Sequence, residues 1–358
     1  MKNLYEIRNR INEIDKEMAK LFEERMVSAS EVAKYKLSHG LPIFDKTREM
    51  EVIEKNTKFI ENDEIREYYV NYLNEVMNIS KKYQARLMEG MKVAYSGVEG
   101  AFAHIASMKL FPNSNFVNYP DFGSAYKAVE DGTCDTCVLP LENSYAGDVA
   151  LVLDLLFSGS LYINQVIELD VVHNIVAKKD CNLKDIKTVI SHPQALAQCA
   201  DYIEKHNLKV IEVANTAVAA KMVAESNDNT ISAIASSESA ELYGLDVLES
   251  NINSSRNNTT RFGAFSRALN QKAKGTHSDN SILVFTVKNE AGALAKTLNI
   301  IGSHGFNMRS LRSRPMKELI WNYYFYVELE GNINSQEGKD MLRALNIFCD
   351  KLKVVGIY

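Results

Sequence analysis

The chain of 358 residues contains no apolar run near the roughly 18 residues that a membrane-spanning helix needs, so a membrane-embedded helical protein is excluded as the expected class. The opening stretch, MKNLYEIRNRINEIDKEM, carries a charge every few residues, and neither a secretory signal nor a membrane anchor is expected. Cysteine is scarce: five residues, an odd number, argue against a disulfide framework and fit a reducing cytoplasm. Cys134 and Cys137 form one CxxC with no second pair and no neighbouring histidine. They read as two ordinary thiols, and no metal or other cofactor is expected. A strong excess of charge is also missing. Lys plus Arg total 41 against 46 Asp plus Glu, a net charge of −5, which speaks against a nucleic-acid partner. With 46% hydrophobic and 24% charged residues the chain is ordinary globular material. Its length suggests two or three domains at about 150 residues each.

Helix breakers are almost absent from residues 1–90, which hold one proline, Pro42, and two glycines, Gly40 and Gly90. Long helices with a single break near 39–43 follow, over about 3–38, 46–60 and 63–89. Leu4, Ile7, Ile11, Ile14, Met18 and Leu21 step by threes and fours, the seam of a helix that packs against another along its length. At 1.5 Å per residue the first helix is roughly 54 Å long, too long for the short second helix to cover. A dimer is therefore expected.

Residues 91–268 change style. Short strand-like runs (Lys92–Tyr95, Thr136–Leu141, Leu161–Leu169, Val171–Lys178, Thr188–Ser191, Lys209–Val213, Ser232–Ala235) alternate with helical stretches, the α/β signature. A polar linker over 268–279 leads to residues 280–358. These read as strand, helix, strand, strand, helix, strand: Ser281–Lys288, Gly292–His304, Phe306–Ser313, Ile320–Glu330, Ser335–Cys349 and Lys353–Tyr358. That order is a ferredoxin-like α+β unit.

The seam of helix 1 continues not to an apolar residue but to Arg25. A cation there needs a counter-anion or water, because an unpaired buried charge is costly. It meets either a carboxylate from another helix or a bound anion. Lys36 lies eleven residues on, within about 20° of the same face. Asp45, Arg48 and Glu49 share a face of helix 2, and Ser80 and Gln84 share a face of helix 3. Arg8 sits seventeen residues before Arg25, about 25 Å along a straight helix. The two cannot clasp one small ligand within one chain, but an antiparallel pair of first helices brings the partner's Arg8 towards Arg25.

These residues carry a resemblance. IRNRINEID, EER, AKYK, D-x-x-R-E at Asp45–Glu49 and S-x-x-x-Q at Ser80–Gln84 resemble the all-helical chorismate mutase family, an intertwined dimer of three-helix chains. The resemblance implies that Arg25 and the partner chain's Arg8 hold the substrate's two carboxylates, with Arg48 assisting. It implies that Lys36 and Gln84 bond the ether oxygen, that Glu49 and Asp45 meet the ring hydroxyl and backbone, and that Ser80 supports them. The chemistry suits these residue types. Chorismate rearranges to prephenate without nucleophile or metal, and fixed cations help by holding a folded dianion and stabilising charge on the ether oxygen.

Further on, Gly97 and Gly100 form a turn after a strand and ahead of a helix, a strand–helix connection or an anion-binding turn. Glu142, Asn143 and Ser144 follow a strand directly, as does S-H-P-Q at Ser191–Gln194, and strand ends are where ligands gather in open sheets. With ENSYAG, SHPQ, ELYGLDVLE and TTRF in order, this segment resembles prephenate dehydratase, a two-lobed α/β fold similar to periplasmic binding proteins. The resemblance implies that Thr260 acts at the departing hydroxyl, that Arg261 binds a carboxylate, and that Asn143, Ser144, Ser191, His192 and Gln194 line the cleft. His192 has the residue type of a general acid, and equally the place of a turn residue beside Pro193. Ala101 stands where many members carry Ser or Thr.

GALAKTL at 292–298, HGFNM at 304–308 and LRSRP at 311–315 resemble the ACT regulatory domain. That implies a phenylalanine site between two such domains, formed by Gly292, Ala293, Leu294, Asn307 and Ser313. Arg312 replaces the usual acidic residue, and Ala295 replaces a common Val. The leading expectation is thus a cytoplasmic enzyme making prephenate and then phenylpyruvate. It takes chorismate, prephenate and the effector L-phenylalanine as its small-molecule partners. It is a homodimer, or a tetramer where ACT domains pair. The alternatives are a non-catalytic amino-acid sensor and a second site that acts on arogenate.

Overall fold

The computed structural model describes residues 3–255, 257–270, 280–316 and 322–358. The chain forms two compact units, Met1–Met91 and Lys92–Tyr358. Most of the expected linker at 268–279 and the start of the strand expected from Ile320 lie outside the described residues.

The first unit is three helices: α1 (Leu4–His39), α2 (Lys46–Thr57) and α3 (Asp63–Glu89). A capping box starts α1, in which the Asn3 side chain accepts from the Glu6 amide and the Glu6 carboxylate accepts from the Asn3 amide. Gly40 closes α1 at a left-handed φ of 63°, which a side chain would disfavour. Helix α2 stops three residues earlier than expected. Asn56 Nδ2 donates to the Val52 carbonyl (2.7 Å) and Thr57 Oγ1 to that of Ile53 (2.8 Å), which diverts the last turn from regular helix. Ala29 and Ala33 of α1 are buried, as are Leu73, Val76 and Met77 of α3. The small alanines permit close helix approach. The six seam residues Leu4–Leu21 remain exposed, from 41% at Ile14 to 64% at Leu21.

The second unit opens with β1 (Lys92–Ser96), α4 (Phe102–Leu110), β2 (Asn115–Tyr119), α5 (Phe122–Glu130), β3 (Thr136–Asn143), β4 (Gly147–Asp148), α6 (Ala150–Ser158) and β5 (Tyr162–Asp170). The chain then crosses into a second lobe. That lobe holds β6 (Asn174–Ala177), β7 (Thr188–Ser191), α7 (Pro193–Gln198), α8 (Ala200–Lys205), β8 (Lys209–Glu212), α9 (Thr216–Glu225), β9 (Ile231–Ala235), α10 (Ser237–Tyr243) and β10 (Asp246–Glu249). It returns through β11 (Thr259–Ser266). Next come β12 (Asn280–Val287), α11 (Ala293–Ser303), β13 (Asn307–Pro315), β14 (Tyr323–Glu330), α12 (Gln336–Phe348) and β15 (Cys349–Ile357). Two crossings, β5 to β6 and β10 to β11, make the two-lobed α/β architecture. Strand β11, noticed in the sequence only as a motif, is central, lying antiparallel between β5 and β3.

The second lobe's sheet runs β10-β6-β9-β7-β8. The other sheet runs β13-β14-β12-β15-β5-β11-β3-β1-β2, with β4 paired to β3. The C-terminal ferredoxin-like sheet is thus continuous with that of the first lobe. The junction is a single pair, Gly356 beside Ile163, where an added Cβ would stand 3.0 Å from the Ile163 carbonyl oxygen. Ile282, Val284, Tyr326 and Val355 share one apolar core with Leu139, Leu153 and Ile163.

Candidate active sites

In the helical unit a cavity of about 320 Å³ opens between the three helices. Seven of the eight residues expected there line it: Arg25, Lys36, Asp45, Arg48, Glu49, Ser80 and Gln84. Arg25 donates to Ser80 Oγ and to the Val76 carbonyl, both neutral acceptors, so its charge is not consumed by them. Lys36 Nζ donates one proton to the Ile43 carbonyl at 2.6 Å and has two more to offer. Asp45 caps α2 by accepting from the Arg48 amide at 3.0 Å. Gln84 is buried, and its amide oxygen has no partner among the described residues. Since amide O and N exchange by a flip, the unpartnered end can equally present N–H groups. Lys81 was passed over in the sequence, although it stands three residues before Gln84 on the same helical face. It lines the cavity, pairs with Glu49 at 2.7 Å and lies over the Phe44 ring. The lining therefore carries four cations (Arg25, Lys36, Arg48, Lys81) against two carboxylates (Asp45, Glu49). Arg8 is exposed and stands outside this cavity.

Between the two lobes of the second unit lies a cleft of about 580 Å³. Strand register builds its floor, with Thr260 of β11 directly opposite Asn143 of β3. Asn143 Nδ2 donates to Thr260 Oγ1 and to Asn258 Oδ1, both at 2.8 Å. Asn258 donates to Gln198 Oε1 at 2.9 Å, and the same oxygen lies 2.8 Å from His173 Nε2. A chain of polar side chains thus runs from Thr260 across the lobe crossing. Among the described residues, His173 Nδ1 and Gln198 Nε2 have no hydrogen-bond partner. Burial holds the His173 pKa below its ordinary value, against a smaller opposing effect of the Gln198 hydrogen bond, so the ring favours its neutral form. Neither His173 nor Gln198 was singled out in the sequence, because their surroundings assemble only where the lobes meet.

The expected cleft residues divide. Asn143, His192, Gln194 and Thr260 line the cleft. Ser191 is buried and donates to the Ile234 carbonyl, and Ser144 donates to the Asn257 carbonyl; neither lines the cleft. His192 caps α7, its Nδ1 accepting from the Gln194 amide. Arg261 faces away from the cleft. Alternate strand residues point to opposite faces, so cleft-lining Thr260 and Phe262 turn Arg261 to the other side. There it pairs with Glu142 (2.6 Å) and with the fully buried Glu328 (2.9 Å), and donates to Tyr358 (2.6 Å). The Gly97–Gly100 turn is a strand–helix connection. Its Gly97 and Gly100 amides are taken by the Tyr119 carbonyl and by His104 Nδ1. Among the described residues no Lys or Arg lines the cleft, and the Asp148 carboxylate that does line it is paired with Arg312. Positive potential comes instead from the starts of α4, α6 and α9, which abut it at Ala101, Val149 and Asn215. Ala101 and Val149 offer no side-chain cap; in α6 the Val152 amide turns back to the Val149 carbonyl, which leaves the earliest amides of α4 and α6 to meet an anion.

In the C-terminal domain, Gly292 (φ 82°) begins α11 without a side-chain cap, followed by half-buried Ala293 and Leu294. Asn307 opens β13 and donates to Glu330 at 2.8 Å, and Ser313 lies exposed on the same edge strand.

Three family models match the chain in order: Chorismate mutase type II over residues 7–85, Prephenate dehydratase over 93–270 and ACT domain over 281–346. The bifunctional chorismate mutase/prephenate dehydratase of Aquifex aeolicus (strain VF5) is 32% identical over 367 residues, spanning 100% of this chain and 98% of that one. Two solved structures each cover 75% of the chain. One is GqqA, described as a novel type of quorum quenching acylase (TM-score 0.69, 30% identity, 97% of that chain). The other is the prephenate dehydratase of Arthrobacter aurescens in complex with L-Phe (TM-score 0.68, 25% identity, 89% of that chain). An end-to-end match, over a cavity and a cleft whose linings answer the motifs, means that the chain belongs to the bifunctional chorismate mutase/prephenate dehydratase family.

Proposed function

We infer that this chain rearranges chorismate to prephenate in the helical cavity and converts prephenate to phenylpyruvate, CO2 and water in the two-lobed cleft. L-phenylalanine acts as its feedback effector through the C-terminal domain. Residues 1–90, 91–268 and 280–358 carry the three roles. The observation that carries the reading is the cavity lining, two positive charges in excess around an amide whose oxygen has no partner among the described residues. That is the complement of a dianion with an ether oxygen between its carboxylates. Arg25 and Arg48 hold carboxylate, and Lys36 and Gln84 face the stretching C–O bond, where preorganised donors act most strongly. Asp45 and Glu49 meet the hydroxyl, and Ser80 fixes Arg25. The second carboxylate falls to the partner chain's Arg8, in a homodimer whose exposed Leu4–Leu21 stripe is buried on the equivalent stripe of its partner. Pairing of ACT domains would make a tetramer, with Gly292, Ala293, Leu294, Asn307 and Ser313 around phenylalanine.

In the cleft, prephenate loses CO2 and its ring hydroxyl together, and the departing oxygen takes up a proton to leave as water. Asn143 occupies a lone pair of Thr260 Oγ1. The threonine's own proton is therefore free to point at the leaving oxygen, and Thr260 orients and hydrogen-bonds it. Free amides at α4 and α6 suit the carboxylates, with Gln194 and His192 at the rim. Prephenate rather than arogenate is the substrate, because the first site makes it. The five unpaired thiols support a cytoplasmic setting.

One assay tests the whole. Purified protein is fed chorismate, its absorbance is followed, and phenylpyruvate is measured with and without phenylalanine. Loss of chorismate with accumulation of phenylpyruvate, slowed by phenylalanine, is the expected result. Unchanged chorismate would refute the first activity. Prephenate that accumulates without phenylpyruvate would refute the second and leave the cleft to another use of the scaffold.

A further inference from the structure

The dehydratase cleft is walled on one side by residues 142–154, which contribute Asn143 and Ala146–Leu151 to its lining. This stretch has one very short strand and one nine-residue helix of its own. It is gripped from behind by the C-terminal domain. Arg312 and Arg314 are two residues apart on β13 and so project to the same side. Arg312 forms ion pairs with Glu142 through Nη2 and with Asp148 through Nε. Its remaining Nη1 donates to Ser310 at 2.6 Å, and its guanidinium lies over the Tyr326 ring. Arg314 holds Asp154 with two contacts, at 2.9 and 3.4 Å, and Tyr324 adds a hydrogen bond to the same carboxylate at 2.8 Å. Glu142 is the register partner of Arg261. Through it Arg312 joins the buried Arg261–Glu328–Tyr358 cluster, directly behind the Asn143–Thr260 pair.

We propose that Arg312, with Arg314 beside it, is a positioning residue for the dehydratase reaction: the C-terminal domain supplies the clamp that sets the cleft wall and holds Asn143 where it orients Thr260. This rests on the dehydratase reading above. Charge supports it. Arg261 already faces Glu142, Glu328 and Glu168, with Arg309 4.0 Å from Glu328, so without Arg312 Glu142 is left to share Arg261 and Asp148 loses the cation it pairs with. The fork matters as much as the charge, since separate nitrogens reach Glu142 and Asp148 at once, which a lysine cannot do. The domain is thus part of the catalytic scaffold even with no effector bound, and a change at Ser313, between the two arginines, has a direct route to the wall.

The test uses the full-length chain, with kinetics on prephenate measured well below the melting midpoint and mutase activity on chorismate as an internal control. Arg312→Ala is expected to lower dehydratase kcat at least about tenfold, because a wall displaced by about 1 Å misplaces the reacting group. KM should change less, and mutase kcat/KM should stay at the wild-type value. Arg312→Lys should fall in between. Arg343→Ala, removing an exposed arginine of α12 that pairs with Asp340 one turn away, should leave the dehydratase unchanged. A merely adhesive role would lower the melting midpoint and leave kcat alone. An active wild type with Arg312→Ala kinetics within about twofold of it overturns the clamp and spares the functional reading. A wild type inert on prephenate overturns both. Should Arg312→Ala fail to fold, Arg312→Lys decides: a kcat loss of about threefold or more supports the clamp, and a wild-type kcat overturns it.

Discussion

The shared mutase site can be tested by subunit complementation. Arg8 and Arg25 lie on one continuous helix, Leu4–His39, seventeen residues or about 25 Å apart. Of the two, Arg25 alone lines its own chain's cavity, and the proposed dimer has each site draw Arg8 from the other chain. Arg8→Ala and Arg25→Ala homodimers are each expected to lose about 10²–10³ in mutase kcat, the scale of removing one preorganised donor to developing charge. Mixing the two after reversible dissociation gives mixed dimers as about half of the population. Each mixed dimer has one site with both arginines and one with neither, so the mixture should recover to about one quarter of wild-type activity and the isolated mixed dimers to about one half. The assay is chorismate consumption on isolated mixed dimers, identified by two different tags. Dehydratase turnover, measured alongside, should be unaffected throughout. Tagged, verified mixed dimers that remain at the level of the parents would refute site sharing, and with it the explanation of the exposed seam.

Thr260→Val keeps the shape of the side chain and removes its hydroxyl. It is expected to cut dehydratase kcat by about 10² or more while chorismate consumption continues, as seen when chorismate and phenylpyruvate are followed together. Glu328→Ala deletes the fully buried carboxylate beneath Arg261. Burial raises the Glu328 pKa, but its bonds from Arg261 and Tyr358 outweigh this and leave it lowered, so the pair is ionised in the folded protein. Breaking it should cost about 3 kcal/mol, and the melting midpoint of the second unit should drop by roughly 6–12 °C in calorimetry. His173, held below its ordinary value of 6.5 by burial, binds fewer protons folded than unfolded in mildly acid solution. Stability from this group is therefore present at neutral pH, falls as pH drops through about 6.5, and levels off below the folded pKa. His173→Gln should flatten that part of the curve of melting midpoint against pH, and an unchanged slope would count against a buried neutral ring.

The helical cavity was legible because helix geometry converts spacing into direction. Arg25 breaks an apolar seam, and Lys36, Asp45, Arg48, Glu49, Ser80 and Gln84 can each be placed on a face of its own helix from residue number; that these faces make one site is what the chorismate mutase resemblance implied. Lys81 was missed only because the S-x-x-x-Q pattern steps over it. The sequence also determined the order of the three parts and the βαββαβ run of the last, since glycine, proline and apolar periodicity mark element boundaries locally. The cleft was less readable. Thr260 and Asn143 stood out as motif residues, but their partnership depends on the β11–β3 register, and register joins segments 117 residues apart. Arg261 shows the limit most clearly. A neighbour of Thr260 in the chain is, on a strand, a resident of the opposite face, and only the sheet shows which face meets the cleft. Ser191 likewise follows a strand as expected, yet spends its hydroxyl on a carbonyl of the adjacent strand. The grip of Arg312 and Arg314 on the cleft wall belongs to tertiary structure altogether. Those contacts span 160 residues or more, in a sheet that runs from one domain into the other at the Gly356–Ile163 pair. Local sequence sets which residues can share a face. Long-range packing alone decides which faces meet.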